Sequence, residues 1–263
     1  EMPSTDGTSP LVAWVYFSNN WFNGRDFPAA TVDWIAAHGA VPVIRLMLRS
    51  DLDEVEGPDP VFSLQKILDG DFDDDLAAWG AEAAAQEGPL VLEWGTEANR
   101  SCFHWNGMHG GGPSIGPANF RAAYRHIVQT IEGAGAHNIS WVFHADVWDE
   151  PDAAWNALEN YYPGDDVVDW VALSSYGAQA PDDDWCGPFA AGIDNAYDRA
   201  VAMAPTKPLF VFEFGAAGGN PGCDAAAWAD AALTALMAGQ WPAIRGFAWW
   251  NERWENDGNP AHD

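Results

Sequence analysis

Seven short runs rich in Val, Ile, Leu and aromatic residues recur along this chain, separated by longer Ala-rich amphipathic stretches. That alternation is the tightest constraint on the fold. Strands covered on both faces read as continuous apolar runs, whereas the helices that cover them read with a 3.6-residue period. The pattern predicts strands at Leu11 to Phe17, Val41 to Leu48, Pro89 to Trp94, Ile139 to His144, Val168 to Ser174, Pro208 to Phe214 and Arg245 to Trp250. Helices are predicted around Ala29 to His38, Asp73 to Gln86, Ala118 to Gly133, Phe189 to Met203 and Asp224 to Ala238. No Gly-rich phosphate turn follows any strand, so repeated βα units of this length point to a (β/α)8 TIM barrel, of class α/β, rather than an open doubly wound sheet. One domain over residues 1–263 is expected. Seven strands are one short of closure, so either a strand hides in the loops or the first strand is missing from the chain.

Composition narrows the partners. Acidic residues number 39 against 11 basic, for a net charge of −28; a polyanion would be repelled, and nucleic acid is not an expected partner. No run approaches the length of a membrane helix, and Glu1-Met2-Pro3-Ser4-Thr5 lacks the charged and apolar regions of a signal peptide. Such acidity suits a neutral substrate and is also what salt adaptation produces. Three cysteines cannot all pair within one chain; Cys186 and Cys223, in Gly/Pro-flanked loops, could form one disulfide, and a fully reduced set is equally open. Asp71 to Asp75 and Asp182 to Asp184 read as a helix N-terminus and a solvated loop rather than calcium sites. Of sixteen tryptophans about half are expected to fill the core, and an indole face suits the C–H face of a sugar.

In such a barrel the reactive groups gather at the carboxyl ends of the strands. There the sequence places Glu97, Asp146, Glu213 and Glu252, beside Phe103, Trp105, Trp148, Tyr176, Trp249 and Trp250. Carboxylates beside indoles make a carbohydrate site. Glycoside cleavage needs one carboxylic acid to protonate the leaving oxygen and a second carboxylate to attack the anomeric carbon or activate water. Glu97 and Glu213 end strands three places apart and so face each other across the mouth. Glu213 lies in Phe210-Val211-Phe212-Glu213-Phe214, where burying a charge is costly without a function or partner. For Glu97, beside Thr96 and Asn99, a capping role would serve equally well; Asp146 and Glu252 are rivals. Glu93 should lie deeper on the same face, paired with Arg45 of the neighbouring strand.

At these residues the chain resembles glycoside hydrolase family 26, retaining (β/α)8 enzymes best known as endo-β-1,4-mannanases. The likeness runs through Thr96-Glu97-Ala98-Asn99-Arg100-Ser101-Cys102-Phe103-His104-Trp105, Tyr124-Arg125-His126, Asn138 to Phe143, Tyr161 to Asp166 with Val168 to Val171, Lys207 to Gly215 and Trp249-Trp250-Asn251. It implies Glu97 as acid/base, Glu213 as nucleophile and Tyr176 as hydrogen-bond partner of the nucleophile. It also implies sugar contacts from Trp105, His104, Phe103, Asn99, His144, Trp148, Trp249, Trp250 and Asn251. Thr96 stands where the family has His, Arg100 where it has Gly, and Cys102 where an aromatic is usual. The family's first strand would precede Leu11 and its last helix would follow Asp263.

The resulting expectation is a secreted, monomeric, cofactor-free and metal-free endo-β-glycanase acting on a polysaccharide or oligosaccharide. Its first substrate is β-1,4-mannan, with β-1,3-xylan and mixed-linkage β-glucan as alternatives. Secretion is inferred from the substrate class alone. A barrel that binds carbohydrate without turnover is the reading from a different class. A metal-dependent hydrolase would have to use His104, His109, His126 and His144, whose spacing matches no metal motif.

Overall fold

A computed structural model describes residues 12–51 and 57–250. The strands are β1 (Trp14–Asn20), β2 (Val41–Met47), β3 (Leu90–Trp94), β4 (Ile139–Asp146), β5 (Trp170–Tyr176), β6 (Leu209–Gly215) and β7 (Ile244–Trp249). They form one parallel sheet in the order β1-β2-β3-β4-β5-β6-β7. The helices are α1 (Ala29–Ala37), α2 (Leu64–Leu68), α3 (Asp73–Ala84), α4 (Gly116–Gly133), α5 (Phe189–Met203) and α6 (Ala225–Met237). The architecture is a (β/α)8 barrel in which seven strands lie among the described residues.

Every predicted strand is present, though β1, β4 and β5 run two or three residues further toward their carboxyl ends than the apolar pattern indicated. The extensions carry Ser, Asn, Asp and Tyr, which ladder pairing holds in place without apolar character. Short α2 was not foreseen; Ser63 caps it by accepting a bond from the Lys66 backbone N–H. Helix α3 starts on Asp73, Asp74 and Asp75, where acidic groups meet the positive end of the helix.

Alternation along the strands sorts the core into two layers. Val43, Val91, Val142, Ala172, Phe210 and Phe212, with Trp14, Tyr16 and Trp170 against them, fill the barrel interior. The opposite faces pack beneath the helices in a larger cluster running through Leu46, Leu92, Trp94, Phe143, Leu173 and Phe214. The sheet curls far enough for its ends to meet: the Trp14 ring lies 5.7 Å from that of Phe210 and directly over Gly246 of β7. Tyr16 of β1 lies 5.9 Å from Trp250, just past β7.

One irregularity matters for the site. Leu173 pairs with Val211 but Ser174 pairs with Glu213, so β6 carries one extra residue there, and its register with β7 shifts over the same stretch. Phe212 faces the interior against Tyr16 and His144, and strict alternation would send Glu213 to the helix side. The bulge turns Glu213 inward as well and returns Phe214 to the outer layer, against Phe189.

Candidate active site

Above the apolar interior the inward positions become polar: Tyr16, Arg45, Glu93, His144, Ser174 and Glu213, from six successive strands. Glu93 is wholly buried and accepts bonds at Oε1 from the hydroxyls of Tyr16 and Thr96. Its Oε2 lies 2.8 Å from His144 Nδ1, and His144 Nε2 lies 2.7 Å from Ser174 Oγ. Arg45 donates from Nε to Thr96 Oγ1 at 2.9 Å and lies 3.8 Å from Glu93, so the expected Arg45–Glu93 pair is present with Thr96 wedged into it. Burial alone would neutralise Glu93 and His144; their attraction outweighs it, holding the carboxyl below and the imidazole above their ordinary pKa values. Each partner of this buried pair thus favours the charged form of the other, with Tyr16, Thr96 and Ser174 hydrogen-bonded around them.

Glu213 sits on this platform. Tyr176 donates to its Oε2 at 2.7 Å, and Tyr16 lies 2.9 Å from its Oε1. The Tyr16 hydroxyl thereby joins Glu93 to Glu213 with one proton. Arg45 Nε stands 4.0 Å from Glu213. Both phenols stay protonated, their pKa values raised by burial and by the Glu213 charge. The Tyr176 donor, with the Tyr16 hydroxyl at the other oxygen and the Arg45 guanidinium nearby, leaves the Glu213 carboxyl aimed rather than free to rotate.

Glu97 has the opposite surroundings. It follows β3 through a turn in which Gly95 has φ +74° and Glu97 itself φ +47°, and no side chain among the described residues hydrogen-bonds its carboxyl. Burial raises its pKa to about 8, with the Asp146 and Glu213 charges adding to the shift and Arg100 opposing them. Asp146, at the end of β4, is raised to about 6 by burial despite Arg100 and a 2.7 Å bond from the Trp148 N–H. Arg100 reaches Glu150 at 2.7 Å. One carboxyl is therefore kept protonated at neutral pH while another, across the mouth, is fixed by a tyrosine hydroxyl. That division of labour is what glycoside cleavage by two carboxyls requires.

Residues 62–210 match the model of glycosyl hydrolase family 26, more than half of the chain, in a stretch that holds Glu97 and stops three residues before Glu213. The chain belongs to glycosyl hydrolase family 26. Among curated relatives, a Vibrio sp. β-1,3-xylanase is 29% identical over 152 residues, covering 57% of this chain and 28% of the relative. Endoglucanase H of Acetivibrio thermocellus is 30% identical over 145 residues, covering 52% and 15%. The chain thus spans less than a third of either relative. Among solved structures, a Cellulomonas fimi endo-β-1,4-mannanase superposes with a TM-score of 0.64 at 21% identity, over 90% of this chain and 58% of that one.

Within this family 26 site, several residues expected to touch sugar are engaged by protein partners in the structure. Trp105 is fully buried, stacked on Phe103 at 4.7 Å, and donates from Nε1 to the Thr96 carbonyl at 2.8 Å; it anchors the turn that carries Glu97, and no ring face is open for stacking. Phe103 is buried beneath the Arg45 guanidinium. His104 packs on Trp105, and burial lowers its pKa to about 4 among Leu48, Asp59, His109 and Arg49 rather than beside the carboxyl pair. Asn99 is a latch: Oδ1 accepts from the Asp146 N–H at 2.8 Å, while Nδ2 donates to the Asp146 carbonyl and to Asp149, both at 2.9 Å. His144 is sealed under the mouth. Trp249 faces the helix layer against Phe214 and Trp228, because the strand alternates and its neighbour Trp250 takes the mouth side, next to Arg45. Trp148 and Tyr176 do line the mouth. Asn251 and Glu252 lie outside the described residues.

Sequence reasoning misses Tyr16, and it marks Thr96 and Arg100 only as departures from the family motif. Tyr16 could have been found from its place two positions after the inward-facing Trp14 on β1. The four histidines named for a metal are engaged separately: His109 with the Ser101 carbonyl, His126 with Asp73, His104 and His144 as above. Glu93, His144 and Glu213 bring ligand-type atoms within 4.8 Å of one another, atoms already bonded to Tyr16, Thr96, Ser174 and Tyr176.

Proposed function

We propose that this chain is a retaining endo-β-glycanase in which Glu97 is the acid/base and Glu213 the nucleophile. The observation that carries the reading is the contrast between a carboxyl raised to about 8 that accepts no hydrogen bond among the described residues and a second one fixed by Tyr16 and Tyr176. Glu213 attacks the anomeric carbon while Glu97 gives its proton to the glycosidic oxygen. The bond to the leaving sugar breaks and a glycosyl ester forms on Glu213. Glu97, now a carboxylate, takes a proton from water, whose oxygen displaces Glu213. Tyr16 and Tyr176 orient the nucleophile, and a carboxylate already aimed at the anomeric carbon loses little freedom on reaching the transition state.

Two substrates have support. β-1,4-Mannan rests on the motif resemblance, and β-1,3-xylan is favoured by the Vibrio relative, similar in sequence over 57% of this chain. Thr96 and Arg100, where the mannanase motif has His and Gly, weigh against β-1,4-mannan. A polymer of this kind implies secretion.

The test is reducing-sugar release from β-1,3-xylan, β-1,4-mannan and mixed-linkage β-glucan by wild type, Glu97→Gln and Glu213→Gln. Both variants are expected to lose at least about a hundredfold in kcat, the size general-acid and nucleophilic roles supply. Near-full activity of either variant would remove that residue from its role. Binding of a glycan with no product from any substrate would favour the non-catalytic barrel instead.

A further inference from the structure

Tyr16 has one hydroxyl hydrogen and two carboxyls within reach of it. Its oxygen bonds Glu93 Oε1 and lies 2.9 Å from Glu213 Oε1, and a hydrogen aimed at one of them is lost to the other. Tyr176 differs: it donates to Glu213 Oε2 at 2.7 Å with no second acceptor among the described residues. The two tyrosines therefore hold Glu213 in different ways, one fixed and one shared.

Glu93 competes for that hydrogen from a supported position. His144 Nδ1 lies 2.8 Å from its Oε2, the Thr96 hydroxyl bonds its Oε1, and Arg45 Nε stands 3.8 Å away; His144 and Arg45 both favour its charged form. Behind it, His144 Nε2 and Ser174 Oγ are 2.7 Å apart. Ser174, His144 and Glu93 thus follow one another in the order of a hydrolase triad, yet Ser174 is wholly buried, so no acyl group can reach its oxygen. The contacts run instead from Ser174 through His144, Glu93 and Tyr16 to Glu213, across β5, β4, β3, β1 and β6, and end on the nucleophile. A buried pair such as Glu93 and His144 often adds little stability over apolar residues of the same volume; its distinctive effect here is on Tyr16.

We propose that Glu93 is a positioning residue that acts through Tyr16, as the alternative acceptor to which the Tyr16 hydrogen bond turns while Glu213 is esterified. The inference rests on the glycosidase reading above. As Glu213 attacks, its carboxylate charge is consumed and it becomes the poorer acceptor; Tyr16 turns to Glu93, so the bond given up is replaced. As water displaces Glu213, charge returns to that carboxylate, and Tyr16 turns back and stabilises it as it departs. Tyr16 keeps its proton throughout, since burial and the two carboxyls raise its pKa well above the ordinary phenol value. Glu93 therefore assists the attack, and Tyr16 assists the release of the ester.

The test uses dinitrophenyl β-disaccharides of xylose and of mannose, whose aryl group departs without an acid, so that ester hydrolysis limits kcat while kcat/KM reports the attack. Tyr16→Phe is expected to lower kcat about tenfold more than kcat/KM, the size of one hydrogen bond to a charged group; KM falls and glycosyl-enzyme accumulates, read by intact mass. Glu93→Gln is expected to act the other way, lowering kcat/KM about tenfold more than kcat, so that KM rises. In a Tyr16→Phe background the same Glu93→Gln change should move KM by less than about twofold, because its route is gone. Glu93→Gln alone strands the buried His144, so Glu93→Gln combined with His144→Gln, which removes both charges, is measured beside it with the same direction expected. Equal losses in kcat and kcat/KM for Tyr16→Phe, or a KM shift from the Glu93 variants that persists at full size without Tyr16, would overturn the proposal and leave the glycosidase reading standing. No aryl release by wild type from either donor would overturn that reading, and the proposal with it.

Discussion

Glu97 and Asp146 share one low-dielectric corner, and two carboxyls there cannot both ionise freely. Asp146 is the largest contributor after burial to the raised pKa of Glu97. Removing its charge in Asp146→Asn leaves Arg100 less opposed and lowers the Glu97 pKa from about 8. Because Glu97 must be protonated to donate, the alkaline limb of the kcat/KM profile is governed by this group. It is expected to move to lower pH by on the order of one unit in the variant. An unmoved limb would mean that another group sets it. Little of this was legible beforehand: the sequence offered Asp146 as a rival for Glu97's role, and only the fold makes it the neighbour that keeps Glu97 protonated.

The turn after β3 fixes where Glu97 points. Gly95 is left-handed there, and an added Cβ would lie 2.5 Å from the Phe120 ring. Gly95→Ala combines backbone strain with overpacking against α4 and is expected to cost about 1–3 kcal/mol in stability, read from the midpoint of urea unfolding. An unchanged midpoint would show that the turn relaxes without penalty. Strands and helices themselves were readable, because β3 and β6 are buried on both faces and so spell unbroken apolar runs. Their registers were not: nothing in Phe210 to Gly215 announces the extra residue that turns Glu213 inward, since a bulge is a relation between strands. The same parity separates Trp249 from Trp250, and the sequence alone treated the two as equivalent.

A net charge of −28 acts on the whole molecule. Exposed like charges repel over a Debye length of about 10 Å at 0.1 M salt and about 3 Å at 1 M, so added salt removes more repulsion than attraction when acids outnumber bases this heavily. The melting temperature is expected to rise by roughly 2–4 °C between low salt and 1 M NaCl, the shift about 1 kcal/mol produces at this size. A fall would show that pairs such as Arg125–Asp166 and Arg199–Glu159 outweigh the repulsion. The order of elements, the barrel class, the candidate carboxyls and the Arg45–Glu93 pair were determined by the sequence alone, because periodicity and the cost of burying charge are local properties of a chain. Which tryptophans meet solvent, which carboxyl is kept protonated and which partners Asn99 takes were decided only by tertiary structure. Exposure and electrostatic environment are set by groups that come together from distant strands.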